Sequence, residues 1–456
     1  MSRRVVITGI GVVSPLGVGR GPLWEGMCAG RSGIGKPTIF DPSGFATKLA
    51  GQLPAEFSAK DFVPKSYRKA VKVMARDSEI AVAAAKLAAE DAGLITRGLL
   101  DGAAGTPTYP SDRMGCQIGA GLINAETDEL TSALATSTNE QGEFDYRKWG
   151  TAEGAGGGGG MNNLQPLWML KYLPNMLACH VTIIHGCEGP SNTITCAEAS
   201  GLLCVGEGTR VIQRDAADLC FAGGCESKVN LMGALRWTLL NRLAPCDESD
   251  SPESIVRPFD PNAKGTVLGE GGGLVVLEER EKALGRSASI YAEIAGFGAA
   301  HSPPPAYSAI PTKQNRNSDD RPGDGVKFAV EAALADAGIR AHDIDAIVPT
   351  GSGIRDADSE EAIGLRAVFG DRLDEVPLIT VTPFVGQSVA GHGGIQLAAA
   401  ALAVKNQHLP ARINSGTPSS GMHAGETTQH AATLRYVLVV SSALGGQNAA
   451  VVLRQS

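Results

Sequence analysis

Residues 189–201 read GPSNTITCAEASG and place a lone cysteine, Cys196, between a strand-like run rich in threonine and the small residues that begin a helix. A turn from strand to helix would point the Cys196 side chain out of the sheet, as a nucleophile requires. The free N–H groups and dipole of a helix N-terminus would lower the pKa of this thiol and favour the thiolate. The alternative is a buried structural cysteine, because unpaired cysteines usually behave as small apolar residues.

The residues around Cys196, with His180-Val181-Thr182 upstream, resemble the nucleophile segment of the β-ketoacyl-acyl carrier protein synthases. The likeness continues in RVVITGIGVVSPLG (residues 4–17), AGGCE (222–226), RPFD (257–260) followed by Gly265 and LGEG (268–271), GH (391–392) and LGGQN (444–448). The chain is similar to a divergent member of the family, either of the synthase II type or a non-elongating relative like a chain-length factor. This resemblance implies the duplicated thiolase-type fold, with Cys196 as the nucleophile.

The resemblance also implies two histidines that stabilise the enolate formed when a malonyl thioester loses carbon dioxide. His392 falls on the second histidine position, but Thr350 replaces the first. Asp358 and Glu361 support this register, because the family places an Asp and a Glu downstream of its first histidine. Gln387 stands where the family has a lysine. A threonine hydroxyl cannot shuttle a proton near neutral pH, and losing such a group costs roughly 10²–10⁴-fold in rate.

Acyl transfer to the cysteine needs fewer catalytic groups than condensation does. The resemblance implies an oxyanion hole formed by amides at the Cys196 helix start and in the glycine loop of Leu444, Gly445 and Gly446. Leu444 also replaces the usual gating Phe. Ser352 is the expected surviving hydroxyl beside the pantetheine arm, since Ile354 replaces a second one. We therefore expect a chain that loads acyl groups and condenses poorly.

Apolar runs that alternate with helical stretches predict an α/β protein whose sheets are covered on both faces. Two Ala-rich helices end alike, LAAEDAGL at 87–94 and ALADAGI at 333–339, which is weak evidence of duplication. With the resemblance, this predicts layered helices and mixed five-stranded sheets in two halves, residues 1–285 with Cys196 and residues 286–456 with His392 and the glycine loop. The predicted strands are residues 5–10, 218–223, 273–278, 288–296, 346–349 and 436–441.

Two segments predict long surface excursions, the stretch 137–161 with its glycine run and the stretch 301–324 with several prolines. A phosphate-binding loop in the glycine run is disfavoured, because no Gly-Lys-Ser/Thr follows it.

Five basic residues cluster at the start of a predicted helix, and the last three listed share one face: Lys65, Lys69, Arg68, Lys72 and Arg76. They predict either a docking surface for an acidic acyl carrier protein or an ordinary solvated face.

Nine cysteines without paired spacing predict neither a disulfide framework nor a zinc site, which favours the reducing cytoplasm. No signal peptide and no apolar run of about 20 residues is present, so we expect a soluble protein without membrane insertion. The net charge of −8 disfavours nonspecific nucleic-acid binding.

Two side chains near Cys196 have open roles. His185 is either a replacement for the missing histidine or a packing residue at a strand end. The Glu198 carboxylate would interact favourably with the positive end of the helix dipole. A carboxylate so close to Cys196 would also oppose thiolate formation, and the Glu198 rotamer decides between these effects.

Three function classes follow. We favour an acyltransferase of the synthase family that loads an acyl chain onto Cys196, with His392 and Thr350 as polar partners. The others are a condensing synthase with a rearranged site and a non-catalytic subunit that controls chain length beside an active ketosynthase. The resemblance implies a homodimer or heterodimer, an acyl carrier protein as partner, its phosphopantetheine arm as the substrate carrier, and no other cofactor. Fatty acid and polyketide-like routes both use this scaffold.

Overall fold

The computed structural model describes residues 3–150, 159–302, 322–414, 422 and 427–456. Its strands are β1 (Val5–Ser14), β2 (Gly17–Val18), β3 (Met114–Gly119), β4 (Ser191–Ile194), β5 (Leu219–Ser227), β6 (Glu270–Glu279), β7 (Ala292–His301), β8 (Ala346–Val348), β9 (His408–Leu409), β10 (His430–Ala431), β11 (Tyr436–Ser442) and β12 (Gln447–Arg454). Its α-helices are α1 (Arg20–Cys28), α2 (Arg76–Asp91), α3 (Arg97–Leu100), α4 (Thr127–Ala135), α5 (Tyr146–Trp149), α6 (Trp168–Lys171), α7 (Met176–His185), α8 (Ser200–Gln213), α9 (Leu231–Leu239), α10 (Arg280–Gly285), α11 (Asp324–Ala337), α12 (Arg355–Phe369), α13 (Thr382–Val385) and α14 (His392–Asn406).

Ten strands form one mixed sheet in the order β4-β3-β5-β6-β1-β7-β12-β11-β8, with β2 paired to β1. The first five strands precede residue 285, as expected for one five-stranded unit. The later half contributes β7, β12, β11 and β8, and an isolated parallel bridge from Ile347 to Leu378 lies beside β8. The two units are joined edge to edge, because β1 pairs with β7 through Val5 and Ile294.

The two faces of the sheet carry different helices, as the period of two along a strand requires. In β5, Phe221 packs with α2 and α7, whereas Cys220 and Ala222 pack with α8 and α14. In β11, Val439 faces the same α8 and α14 cluster, and Val440 faces α11 and α12. Helices α8 and α14 therefore form a central layer against both units, and the predicted layered arrangement is confirmed.

Small residues let α14 lie deep in the molecule. All of residues 392–404 are buried. A Cβ added at Gly394 would lie 2.2 Å from the Gly273 carbonyl oxygen, so only glycine permits this approach to β6. The core packing therefore fixes the position of His392 at the start of this helix.

All six predicted strands are present, although several are longer or shifted; residues 288–296 were expected where β7 runs from Ala292 to His301. Two local predictions were wrong. His185 ends helix α7 rather than a strand, because residues 176–185 form a largely apolar helix. Residues 65–73 form a 3₁₀-helix, so they do not share the α-helical face that the spacing suggested.

The first predicted excursion contains α5 and a 3₁₀ turn at Gly160–Asn163, while residues 151–158 lie outside the described residues. Most of the second excursion, residues 303–321, also lies outside them. Among the helices of the described residues, none is long and apolar enough to cross a bilayer. The division at residue 285 stays a prediction.

Candidate active site

The segment around Cys196 is a strand-to-helix turn, as predicted. Strand β4 ends at Ile194, a 3₁₀ turn covers Ala197–Ala199, and α8 begins at Ser200. Ala197 has a φ of 47°, in the left-handed region that residues with a Cβ rarely adopt. The sharp turn of the backbone therefore lies between Cys196 and Glu198.

Cys196 is half-buried and packs against the core cluster that contains α8. Burial raises the pKa of its thiol, contrary to the expected lowering by a helix N-terminus. The reason is the position of the helix: α8 starts only at Ser200, and the Cys196 N–H donates to the Ser200 Oγ at 2.8 Å. This amide is therefore engaged within the chain rather than pointed at an oxyanion.

The Glu198 side chain, whose rotamer the sequence left open, is buried. Its Oε2 accepts the Leu444 N–H at 3.3 Å, and its Oε1 lies 3.9 Å from the Arg242 Nη1. The Leu444 amide, an expected oxyanion donor, is thus already bonded to a side chain. Gly446, with a φ of 89°, closes the turn between β11 and β12 by donating its N–H to the Ala443 carbonyl at 2.8 Å.

Two buried carboxylates hold the loop of Thr350, as the predicted register requires. Glu361 accepts the Thr350 and Gly351 N–H groups at 2.7 and 3.0 Å. Asp358 accepts the Ser352 N–H and hydroxyl, both at 2.7 Å. Burial raises the pKa of Asp358 to about 6 and that of Glu361 to about 7, against the opposing effect of these donors. The Ser352 hydroxyl is therefore used within its own loop.

Thr350 and His392 are brought together through a third residue, Thr382. The Thr382 Oγ1 lies 3.1 Å from the Thr350 carbonyl oxygen and 3.2 Å from the His392 Nε2. The Thr350 hydroxyl accepts the Ser442 N–H at 2.8 Å. His392 is fully buried, and burial lowers its pKa to about 4 although the Thr350 backbone opposes the shift. The imidazole is therefore neutral near pH 7.

Gln387 supplies no charge at the predicted lysine position, and its Oε1 accepts the Val389 N–H at 3.1 Å. A buried cation nevertheless lies nearby. Arg242 is buried and stacks over the Trp237 ring at 5.4 Å. Arg242 was not predicted as a site residue, because no motif in the sequence distinguishes it from the surface arginines.

Two cavities meet at Glu198. A cavity of about 300 Å³ is lined by residues that include Thr195, Ala197, Glu198, Trp237, Arg242 and Leu444. A smaller one of about 20 Å³ is lined by residues that include Glu198, Arg242, Thr350, Ser352, Gln387 and Leu444. Neither Cys196 nor His392 lines either cavity. Of the predicted site residues, the structure thus gathers Thr350, Ser352 and Leu444 around a carboxylate.

His185 lies elsewhere. Its Nδ1 is 2.8 Å from the Thr96 hydroxyl, and its ring packs on Phe221 at 5.0 Å between centroids. Burial lowers its pKa to about 4. These contacts are those of a packing residue.

The basic segment is exposed at four of its five members, Lys65, Arg68, Lys69 and Lys72. Arg76 does not belong with them, because it begins α2 and pairs with buried Glu270 at 3.0 Å. The remaining four cations form a surface on one 3₁₀-helix.

Comparisons with known proteins agree with this architecture. Residues 2–283 match the β-ketoacyl synthase N-terminal domain, and residues 291–415 match the β-ketoacyl synthase C-terminal domain. The chain is 30% identical to the "Putative polyketide beta-ketoacyl synthase 1" of Streptomyces halstedii, over 99% of this chain and 98% of the relative. It is 28% identical to 3-oxoacyl-(acyl-carrier-protein) synthase 2 of Staphylococcus aureus (strain COL), over 100% and 99% of the two chains. The solved ishigamide ketosynthase/chain length factor is similar with a TM-score of 0.81 and 26% identity, over 100% of both chains.

Proposed function

The chain belongs to the β-ketoacyl synthase family, and from this premise we propose that it is the non-acylating subunit of a two-chain ketosynthase, beside a partner that carries the reactive thiol. The observation that supports this most directly is Glu198. A carboxylate, not a thiol, faces the small cavity beside Thr350 and Gln387, and it accepts the Leu444 N–H.

The amides that would stabilise an oxyanion already have acceptors within the chain. Acyl transfer from a thioester needs a nucleophile and free donors for the developing oxyanion. The Leu444 and Cys196 amides both have acceptors inside the chain, Glu198 Oε2 and Ser200 Oγ. Acylation here would require breaking these bonds before any substrate is stabilised.

Condensation is disfavoured by the groups around His392. The His392 imidazole is neutral, and its Nε2 is hydrogen-bonded to the Thr382 hydroxyl. Thr350 stands where the resemblance places the family's first histidine. The Thr350 hydroxyl already donates to the Val440 carbonyl at 3.5 Å and accepts the Ser442 N–H. The pair therefore lacks the two strong donors that an enolate would need.

The proposed partners follow from charge and exposure. Lys65, Arg68, Lys69 and Lys72 offer an exposed basic surface for an acidic acyl carrier protein, whose phosphopantetheine arm would carry the acyl chain. We assign no cofactor beyond that arm, and Ser352 remains a proposed contact for it.

The second chain is proposed from the edge of the sheet. Strand β4 is an end strand of the described sheet, and its Ser191 and Asn192 are exposed. Exposed Leu122, Leu167 and Met169 lie in the connection between β3 and β4. An open edge and exposed apolar side chains favour pairing with another chain. The similar ishigamide structure is named as a ketosynthase together with a chain length factor.

The deciding experiment is peptide-mapped mass spectrometry of the wild type and Cys196→Ala after incubation with an acyl-carrier-protein thioester. An active synthase of the family serves as the positive control for the thioester. We expect no acyl group on either variant. An acyl group on Cys196 in the wild type, absent from Cys196→Ala, would overturn the proposal.

That outcome would support a second candidate, an acyltransferase that loads the chain onto Cys196. It is favoured by one observation: Cys196 is half-buried at a strand-to-helix turn, whereas Cys204, Cys220 and Cys225 are fully enclosed. Addition of a malonyl carrier protein then distinguishes transfer from condensation, because only condensation yields an elongated β-keto product.

A further inference from the structure

Three adjoining cavities share one side chain, Arg242. An outer pocket of about 380 Å³ is lined by residues that include Lys264, Ile354, Arg355 and Arg242. The small cavity of about 20 Å³ shares Ile354 and Arg242 with it. The inner cavity of about 300 Å³ shares Arg242, Glu198 and Leu444 with the small one. The outer pocket and the inner cavity also share Leu240 and Arg242 directly, so a route between them passes Arg242 whether or not it crosses the small cavity.

The route is narrowest where Arg242 and Glu198 meet. A volume of about 20 Å³ holds roughly one water molecule. The cavities on either side are more than ten times larger. A pantetheine arm in the outer pocket therefore cannot pass through the small cavity in this conformation.

Arg242 is held at this point by its backbone and its side chain. Its N–H donates to the Trp237 carbonyl at 3.2 Å, and its carbonyl accepts the Thr266 N–H at 2.9 Å. Its guanidinium lies over the Trp237 ring and 3.9 Å from the Glu198 Oε1. Only side-chain rotation is needed to move the guanidinium, because the anchors of the backbone are separate from those of the side chain.

We propose that Arg242, anchored by Glu198 and Trp237, closes the passage between the outer pocket and the inner cavity to the arm of a carrier protein. The inference deepens the proposed function and rests on it for the identity of the arm. It gives Glu198 a second role, since the same carboxylate that engages Leu444 also anchors the side chain that blocks the route.

A cysteine placed in the narrow cavity reports on this passage. Ser442 lines that cavity, and its Oγ has no hydrogen-bond partner in the described part of the structure, so Ser442→Cys is a mild change. The probe is a pantetheine bromoacetamide, and mass mapping of residue 442 separates its alkylation from that of the native cysteines. If Arg242 leaves the passage open no more than a tenth of the time, adding Arg242→Ala should accelerate labelling at least about tenfold. Ser442→Cys with Glu198→Gln should show a smaller acceleration.

Two further variants make the result decisive. Arg242→Met keeps the apolar stem without the charge, and it should label faster than arginine but slower than alanine. Ile354→Trp fills the outer pocket and should abolish the acceleration caused by Arg242→Ala. Equal labelling with Arg242 and with Ala, in variants whose thermal unfolding is cooperative, would overturn the proposal. So would acceleration that survives Ile354→Trp, because the arm would then enter elsewhere. The readout at residue 442 is independent of acylation at Cys196, so the proposed function and this inference fail separately.

Discussion

The two helix starts at the centre of the molecule have the same backbone plan and different chemistry. In the N-terminal half, Ala197 has a φ of 47° and begins a 3₁₀ turn that leads into α8. In the C-terminal half, Val389 has the same φ of 47° and begins a 3₁₀ turn that leads into α14. The two turns pack against each other.

The side chains that these turns deliver are unlike. The first turn directs the Glu198 carboxylate to a cavity, and the second leads to His392, which is fully buried and hydrogen-bonded to Thr382. A strained, non-glycine φ at both turns persists only where the surrounding packing enforces it. Two turns with the same backbone angle therefore deliver side chains of different chemistry to different surroundings.

The largest expected effect comes from placing a thiol at residue 198 of the first turn. Glu198→Cys places a sulfur among Leu444, Thr350 and Arg242 and frees the Leu444 N–H as an oxyanion donor. Such a donor contributes about 10²–10³-fold in rate where it is tested by mutation. We expect Glu198→Cys with Arg242→Ala to gain an acyl mass from an acyl-carrier thioester, measured by intact-protein mass spectrometry, whereas the wild type does not.

Glu198→Gln is the matched control, since it keeps the side-chain shape without a nucleophile and should gain no acyl mass. Acylation of Cys196 in the double variant, with residue 198 unmodified, would show that the first turn presents Cys196 after all.

A second test concerns the carboxylate that organises the other half. Glu361 accepts two backbone N–H groups, from Thr350 and Gly351, in a fully enclosed site. Leaving a buried donor unsatisfied costs about 1–3 kcal/mol, so Glu361→Ala should lower the free energy of unfolding by roughly 2–6 kcal/mol. Asp356→Ala on the exposed side of the same helix should change it by less than about 0.5 kcal/mol. Denaturant unfolding measures both, and equal losses would mean that Glu361 does not hold the loop.

Much of the fold could be predicted from the sequence because its strands are long apolar runs and its helices end at recognisable glycines. Strands such as β6 and β11 are buried over nearly their whole length, which is typical of a sheet covered by helices on both faces. The joining of the two units through β1 and β7 could not be predicted, because strand pairing between distant segments leaves no local pattern.

The site was predicted unevenly for a similar reason. Asp358 and Glu361 contact the Thr350 loop, as expected from their closeness in sequence to that loop, while the register that places Thr350 at the family's first histidine stays a prediction. Glu198 lines the cavities and Cys196 does not, and Ala197 between them has a φ of 47° that an alanine in the sequence does not predict. Arg242 reaches the site from a distant loop, so its role is visible only in three dimensions.

A side chain added at the second turn should have a smaller effect on stability. A Cβ at Gly391 would lie 2.1 Å from the Gly271 carbonyl oxygen, so Gly391→Ala must push two backbone segments apart. Overpacking of this kind costs about 1–3 kcal/mol. Gly285→Ala is the matched control, because nothing lies within 4 Å of its added Cβ. A thermal melt in which both variants match the wild type would show that the second turn adapts more freely than its close packing indicates.

The smallest effect is the pH dependence that the buried imidazole of the second turn adds to stability. Burial lowers the pKa of His392 from 6.5 to about 4, so the unfolded chain binds a proton before the folded one does as the pH falls. His392 therefore contributes stability that is fully present above about pH 6.5 and is lost progressively as the pH falls toward 4. His392→Gln removes this titration while keeping a polar group beside Thr382. The difference in unfolding free energy between wild type and His392→Gln, measured in urea, should be constant above pH 7 and shift against the wild type between pH 6.5 and 4. A difference that stays constant down to pH 4 would mean that the imidazole takes up its proton equally well in the folded state, and the contrast between a buried neutral base at one turn and a carboxylate that lines a cavity at the other would be lost.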